Sequence, residues 1–134
     1  MSIDISIEIK AEYLYVLVTG VHDVDVAIDL LDEVLKTSVR YKLHRILIDF
    51  RQLQNEFPLK TETYIYAASV AQLIQKHIAA IGQPLRIAYL GPETSSEGES
   101  YGEEVAARYG FHGGKRVSNM DEALEWLGVR RTKE

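Results

Sequence analysis

Arg45-Ile46-Leu47-Ile48-Asp49-Phe50-Arg51 is the stretch whose reading decides the fold. It is a short apolar run, rich in β-branched residues and bracketed by charge. That is too brief for a helix and suits a strand buried on both faces. Amphipathic helical patterns lie before and after it. It therefore reads as the middle strand of a mostly parallel sheet.

Upstream, Ile3, Ile5, Ile7 and Ile9 alternate with Asp4, Ser6, Glu8 and Lys10. Period two with one polar face predicts a half-buried strand. Tyr13 to Thr19 predicts the next strand, close enough to pair with the first as a hairpin, and Gly20 ends it. The first strand is then an edge, and its charged face guards it against pairing with other chains. From Val24 to Tyr41 the residues Val24, Ala27, Leu30, Leu31, Val34, Leu35 and Tyr41 share one helical face, opposite Asp25, Asp29, Asp32, Lys36 and Arg40. This helix leads into the central strand and completes a right-handed β-α-β crossover.

Downstream, a helix is predicted from near Thr61 to about Ile81, stopped by Gly82 and Pro84. Leu85 to Leu90 is another buried strand. Ser95 to Ser100 is a small, polar, acidic loop, and Ser100-x-x-Glu103 is a capping-box pattern for a helix ending at Gly110. Gly113-Gly114 turns the chain into a strand over Lys115 to Ser118. Asn119-x-x-Glu122 caps a last helix through Leu127, ended by Gly128. The predicted order is ββαβαβαβα, an α/β fold with a mixed, mostly parallel sheet. It fills residues 1–134 as one domain, a size that buries a working core without disulfides or metals.

Composition narrows the function classes. There is no Cys, which excludes disulfides, zinc ribbons and thiol catalysis. The net charge of −5 argues against nucleic acid as a partner, and the basic end Arg130-Arg131-Thr132-Lys133 is too short to reverse that. No apolar run approaches the roughly 20 residues of a membrane span. The N-terminus lacks a signal-peptide pattern, so a cytoplasmic protein is expected.

The "ILIDFR" strand and the closing "RIAYLGPE…DEALEWL" segment, after a hairpin and repeated α-β units, resemble the STAS-like family of SpoIIAA, the anti-sigma-factor antagonist. The resemblance implies a small mixed sheet with packed helices, working through protein–protein contacts rather than catalysis. In the signalling branch a partner kinase phosphorylates a Ser in an Asp-Ser-Ser-Gly-type motif, at the start of the helix after the central strand. Here that stretch reads Asn55-Glu56-Phe57-Pro58-Leu59-Lys60-Thr61-Glu62-Thr63, without the motif. The phosphoacceptor is not carried over, and Thr61 and Thr63 are the nearest hydroxyls. The chain resembles the divergent STAS-like proteins, some of them grouped with lipid-binding Sec14-like folds.

Other groups invite chemistry. His22, His44, His77 and His112 are scattered without ligand spacing, and the nearest approach to a metal cluster, His22 with Asp23 and Asp25, reads as a helix start. Asp49 and Arg51 emerge at the carboxyl end of the central strand, where open α/β sheets place ligands. They form either a ligand pocket or an ordinary strand-end salt bridge. Gly91 to Gly102 has no phosphate-loop spacing and carries Glu93, Glu97 and Glu99. Ser100 sits in no nucleophile elbow. No catalytic residue, metal or cofactor is expected.

On the helix after the central strand, Tyr64, Ala67, Ala68, Val70, Ala71, Ile74, Ile78 and Ile81 form the sheet-facing stripe. Ile65, Tyr66 and Leu73 fall on the outer arc with Ser69, and several hydrophobics on one ridge suggest an interface. The expected function is a non-enzymatic regulatory module whose ridge of Ile65, Tyr66, Ser69 and Leu73 meets a protein partner, most simply a second copy in a homodimer. The competing expectation is a small carrier binding an apolar, lipid-like or nucleotide-like ligand between sheet and helices.

Overall fold

The computed structural model describes residues 4–20, 24–53, 60–82, 84–91, 107–108 and 111–129, with backbone alone at 24–25, 53, 60–67, 78–79 and 81. The elements are β1 (Asp4–Ile9), β2 (Leu14–Gly20), α1 (Val24–Tyr41), β3 (Arg45–Leu53), α2 (Lys60–Ile81), β4 (Arg86–Leu90), β5 (Gly114–Val117) and α3 (Met120–Leu127). Five strands form one sheet in the order β1-β2-β3-β4-β5. β1 runs antiparallel to β2, and every other neighbouring pair is parallel. The expected mixed α/β sheet, centred on the 45–51 stretch, is the one observed. Of the helix expected over 100–110, only Ala107 and Arg108 are described, and both are helical.

Alternation along the inner strands divides the core in two. Val16, Ile46, Ile48 and Ile87 face one side, against Leu31, Val34 and Leu35 of α1 and Val70, Ala71 and Ile74 of α2. Leu47, Ala88, Leu90 and Val117 face the other, against Ala123 and Leu127 of α3. Adjacent β3 residues thus serve opposite layers, which is why Ile46, Leu47 and Ile48 are all buried.

Over its described side chains α1 follows its expected pattern except at the end; those of Val24 and Asp25 lie outside the described residues. Tyr41, assigned to the core face, is 48% exposed because it stands on the helix's last residue, beyond the sheet-facing stripe. The buried polar residue near this end is Ser38, whose hydroxyl donates to the Leu43 carbonyl while the Leu43 amide donates to the Ser38 carbonyl at 3.0 Å. α3 follows its sequence signals closely. Asn119 accepts the Glu122 amide at 2.9 Å, and Gly128 closes the helix in a left-handed conformation, φ 71°. The last strand starts and ends one residue before its expected bounds. Gly113, just before it, cannot carry a side chain, since a Cβ there would lie 2.1 Å from the Leu85 carbonyl oxygen.

Candidate functional site

The carboxyl end of β3 carries the most concentrated polar chemistry among the described residues. Asp49 is 1% exposed, a buried carboxylate on the face shared with Leu47 and Tyr15. In the parallel β2–β3 register Leu17 lies opposite Asp49 and Tyr15 opposite Leu47, so Tyr15 reaches Asp49 diagonally along one face. Its hydroxyl donates to Asp49 Oδ2 at 2.7 Å. Arg51, two residues on and therefore on the same face, donates through Nε to Oδ1 at 3.0 Å and through Nη2 to Oδ2 at 2.8 Å. Its backbone amide adds a third bond to Oδ1 at 3.0 Å. Both carboxylate oxygens are thereby satisfied within the chain, and the fork-to-fork geometry is the strong form of this pairing.

The electrostatics follow from that geometry. Burial pushes the Asp49 carboxyl up, but the Arg51 side chain, the Tyr15 hydroxyl and the Arg51 amide outweigh it and hold the group below the ordinary carboxylate range. Burial, then the bond to Asp49, pushes the Tyr15 hydroxyl up to about 12. At neutral pH the cluster is one carboxylate, one guanidinium and one neutral phenol. Asp49 and Arg51, the candidate pocket pair, are each other's partner. Tyr15, placed by its sequence pattern within the second strand and not singled out for the site, completes the group. Its signal was period two, which puts it on the same face of a neighbouring strand.

The histidines separate by environment. His77 Nε2 lies 3.1 Å from Asp32 Oδ1 and joins α2 to α1. The same carboxylate meets Lys36 at 3.1 Å, and these two partners, His77 foremost, hold Asp32 below its ordinary range. His44 is lowered by burial and by the charges of Arg45 and Arg86. His112 is exposed, while His22 and Asp23, with the side chain of Asp25, lie outside the described residues. Among the described residues no group of three or more acidic or histidine side chains could hold a metal ion. No described helix is long and apolar enough to cross a membrane.

On α2, Ser69 is half-buried, and Leu73 is half-buried against the α1/α2 side of the core. Leu73 stands one turn before His77, so its end of the ridge approaches the row that meets α1. The side chains of Ile65, Tyr66, Thr61 and Thr63 lie outside the described residues, though their backbone is helical. The acidic segment 92–100 also lies outside them.

The sequence matches no protein-family model and no curated protein. Solved structures do resemble the fold. An anti-sigma factor antagonist from Mycobacterium paratuberculosis aligns over 95% of both chains at TM-score 0.60 and 14% identity. An uncharacterised protein of the DUF3478 family from Shewanella loihica, described as having a SpoIIAA-like fold, aligns over 93% of both chains at TM-score 0.51 and 22% identity. At these identities the likeness is one of fold, and the fold is SpoIIAA-like.

Proposed function

We propose that this chain is a non-enzymatic regulatory module of the STAS-like kind, acting in the cytoplasm through contacts with another protein. The observation that carries this reading is the fold shared along nearly the whole length of an anti-sigma factor antagonist. The polar cluster supports it, because Asp49, Tyr15 and Arg51 spend their hydrogen bonds on one another and brace the end of β3. A catalytic or ligand-binding reading would draw on those same groups.

The partner surface in this reading is the first half of α2, with Ile65, Tyr66 and Ser69 at its centre and half-buried Leu73 at its inner limit. Thr61 and Thr63, in the first turn of that helix, are where a phosphate would suit the helix N-terminus electrostatically. Lacking the Asp-Ser-Ser-Gly pattern, both threonines are expected to stay unmodified. The test mixes the protein with an anti-sigma kinase from its own source and follows binding and mass together. Binding weakened at least tenfold by Tyr66→Glu, without phosphate gain, supports the reading. No binding, with a small molecule retained in native mass spectrometry of the fresh protein, turns it toward the carrier.

A further inference from the structure

β1 lies at one end of the sheet, and among the described residues no strand pairs with its outer edge. Two hydrogen bonds fix which of its backbone groups point outward. The Lys10 amide donates to the Tyr13 carbonyl at 2.9 Å, so at position 10 the backbone faces β2. The Ile5 amide instead donates to its neighbour Asp4 Oδ1 at 2.9 Å, away from the ladder. In an antiparallel strand the amide and carbonyl of one residue point the same way, and the direction alternates. Asp4, Ser6, Glu8 and Lys10 therefore bond toward β2. Ile5, Ile7 and Ile9 turn their backbone groups to the outside, where the Ile5 amide meets the neighbouring Asp4 carboxylate in the single chain.

Such an edge accepts only certain partners. For a second copy running antiparallel, outward groups must meet outward groups, so the paired residue numbers must sum to an even value. Pairing about Ser6 sets Asp4 against Glu8, and pairing about Glu8 sets Glu8 against itself; like charges directly opposite destabilise a sheet. Pairing about Ile7 avoids both clashes. It places Ile7 on the two-fold axis, Ile5 opposite the partner's Ile9, Ser6 opposite the partner's Glu8, and Asp4 opposite the partner's Lys10. Ile9, 47% exposed in the single chain, gains an apolar neighbour. Lys10, which bridges Glu8 at 2.8 Å within its own chain, gains a second carboxylate across the axis.

We propose that β1 is a self-association edge, through which two copies join their sheets antiparallel about Ile7 in the register that sets Asp4 opposite the partner's Lys10. The two-fold axis stands perpendicular to the sheet, so Ile5, Ile7 and Ile9 of both copies stay on the α1/α2 side. The charges exclude the registers about Ser6 and Glu8 and are complementary in this one. Pairing about Ile7 also overlaps more of the Asp4–Ile9 strand than pairing about Ile5 or Ile9 would. Self-association thus resides on β1, and α2 is left to a different protein.

Sedimentation equilibrium and amide hydrogen exchange on the full chain test the proposal together. The wild type is expected to dimerise reversibly, with the Ile5, Ile7 and Ile9 amides gaining protection as concentration rises. Protection at Lys10 should not follow concentration. Asp4→Lys and Lys10→Asp should each weaken the dimer at least tenfold, and the double reversal should recover most of that loss relative to either single change. Ile9→Pro, which removes an outward amide but none of the β1–β2 bonds, should leave a folded monomer. A wild type that stays monomeric at every concentration overturns the proposal. A dimer without concentration-dependent protection at Ile7 overturns it too, placing self-association elsewhere. Failure of the double reversal to rescue overturns the register.

Discussion

Asp49 shows how one residue couples burial to charge. A buried carboxylate is costly unless its oxygens are bonded, and here a guanidinium, a phenol and a backbone amide bond them. The pH dependence has two signs. The folded Asp49 pKa lies below its unfolded value, so its contribution is present above about pH 4 and lost as pH falls through the lower folded value. Tyr15 runs the other way, because its folded pKa is about 12, above its unfolded one. Its contribution is whole below about pH 10 and disappears as pH rises from there through the folded value. Tyr15→Phe should cost about 1 kcal/mol at neutral pH and flatten the alkaline loss relative to wild type. It should also shorten the acid limb, because the Tyr15 hydroxyl helps hold the Asp49 carboxyl down, while the Arg51 bonds keep the rest of that limb in place. Urea unfolding at stepped pH checks both limbs. The strand-end position of Asp49 was legible in the sequence, but its burial was not. That depends on Tyr15, 34 residues earlier, and on a parallel register that only the assembled sheet supplies.

Among the elements, those whose periodicity is closed by a polar signal were the most legible. The apolar run of β3 and the 3.6-residue stripe of α1 announce themselves, and Asn119 and Gly128 bracket α3. The α2 ridge was harder, since a helix packed on both a sheet and a neighbouring helix buries more than one arc. Leu73 reads as outer relative to the sheet, yet it packs against the core shared with α1. The end of α1 shows a further feature without a sequence signal. Lys42 has φ 55°, a left-handed conformation, just past the helix end. There its amide donates to the Val39 carbonyl at 3.3 Å and the next amide reaches back to Ser38. An L-residue with a Cβ pays about 1–2 kcal/mol for that conformation, and glycine does not. Glycine's greater freedom in the unfolded chain offsets part of the gain. Lys42→Gly should therefore stabilise the protein by about 0.5–1 kcal/mol, raising Tm by a few degrees in calorimetry. Lys42→Val, β-branched at the same φ, should lower it.

At the scale of the molecule, the sheet is a partition between two apolar layers. Leu35, fully buried, belongs to the α1/α2 layer, and Leu127, 1% exposed, to the α3 layer. β3 belongs to both, through Ile46 and Ile48 on one side and Leu47 on the other. Among the described residues the α3 layer is the smaller, but it is tied to the sheet at several points. Arg86 Nη1 donates to the Trp126 carbonyl at 2.7 Å, and its guanidinium carbon lies 5.0 Å from the centroid of the Trp126 ring. Trp126 Nε1 donates to the Gly113 carbonyl at 3.2 Å, the same oxygen that accepts the Ile87 amide at 2.9 Å. Losing the α3 layer would therefore strip cover from strands that also hold up the other side. Leu35→Ala and Leu127→Ala should each cost about 2–5 kcal/mol. Because the two side chains touch different layers, their effects should add to within about 0.5 kcal/mol. The sum approaches the whole stability of an ordinary domain, about 5–15 kcal/mol, so the double variant should be largely unfolded at room temperature. Urea unfolding followed by circular dichroism and by the fluorescence of Trp126, the one tryptophan in the chain, reads both layers at once. Coincident curves in each single variant mean the partition is mechanical and the folding is shared. An early fluorescence transition in Leu127→Ala alone would mean that α3 detaches from the sheet before the α1/α2 layer gives way.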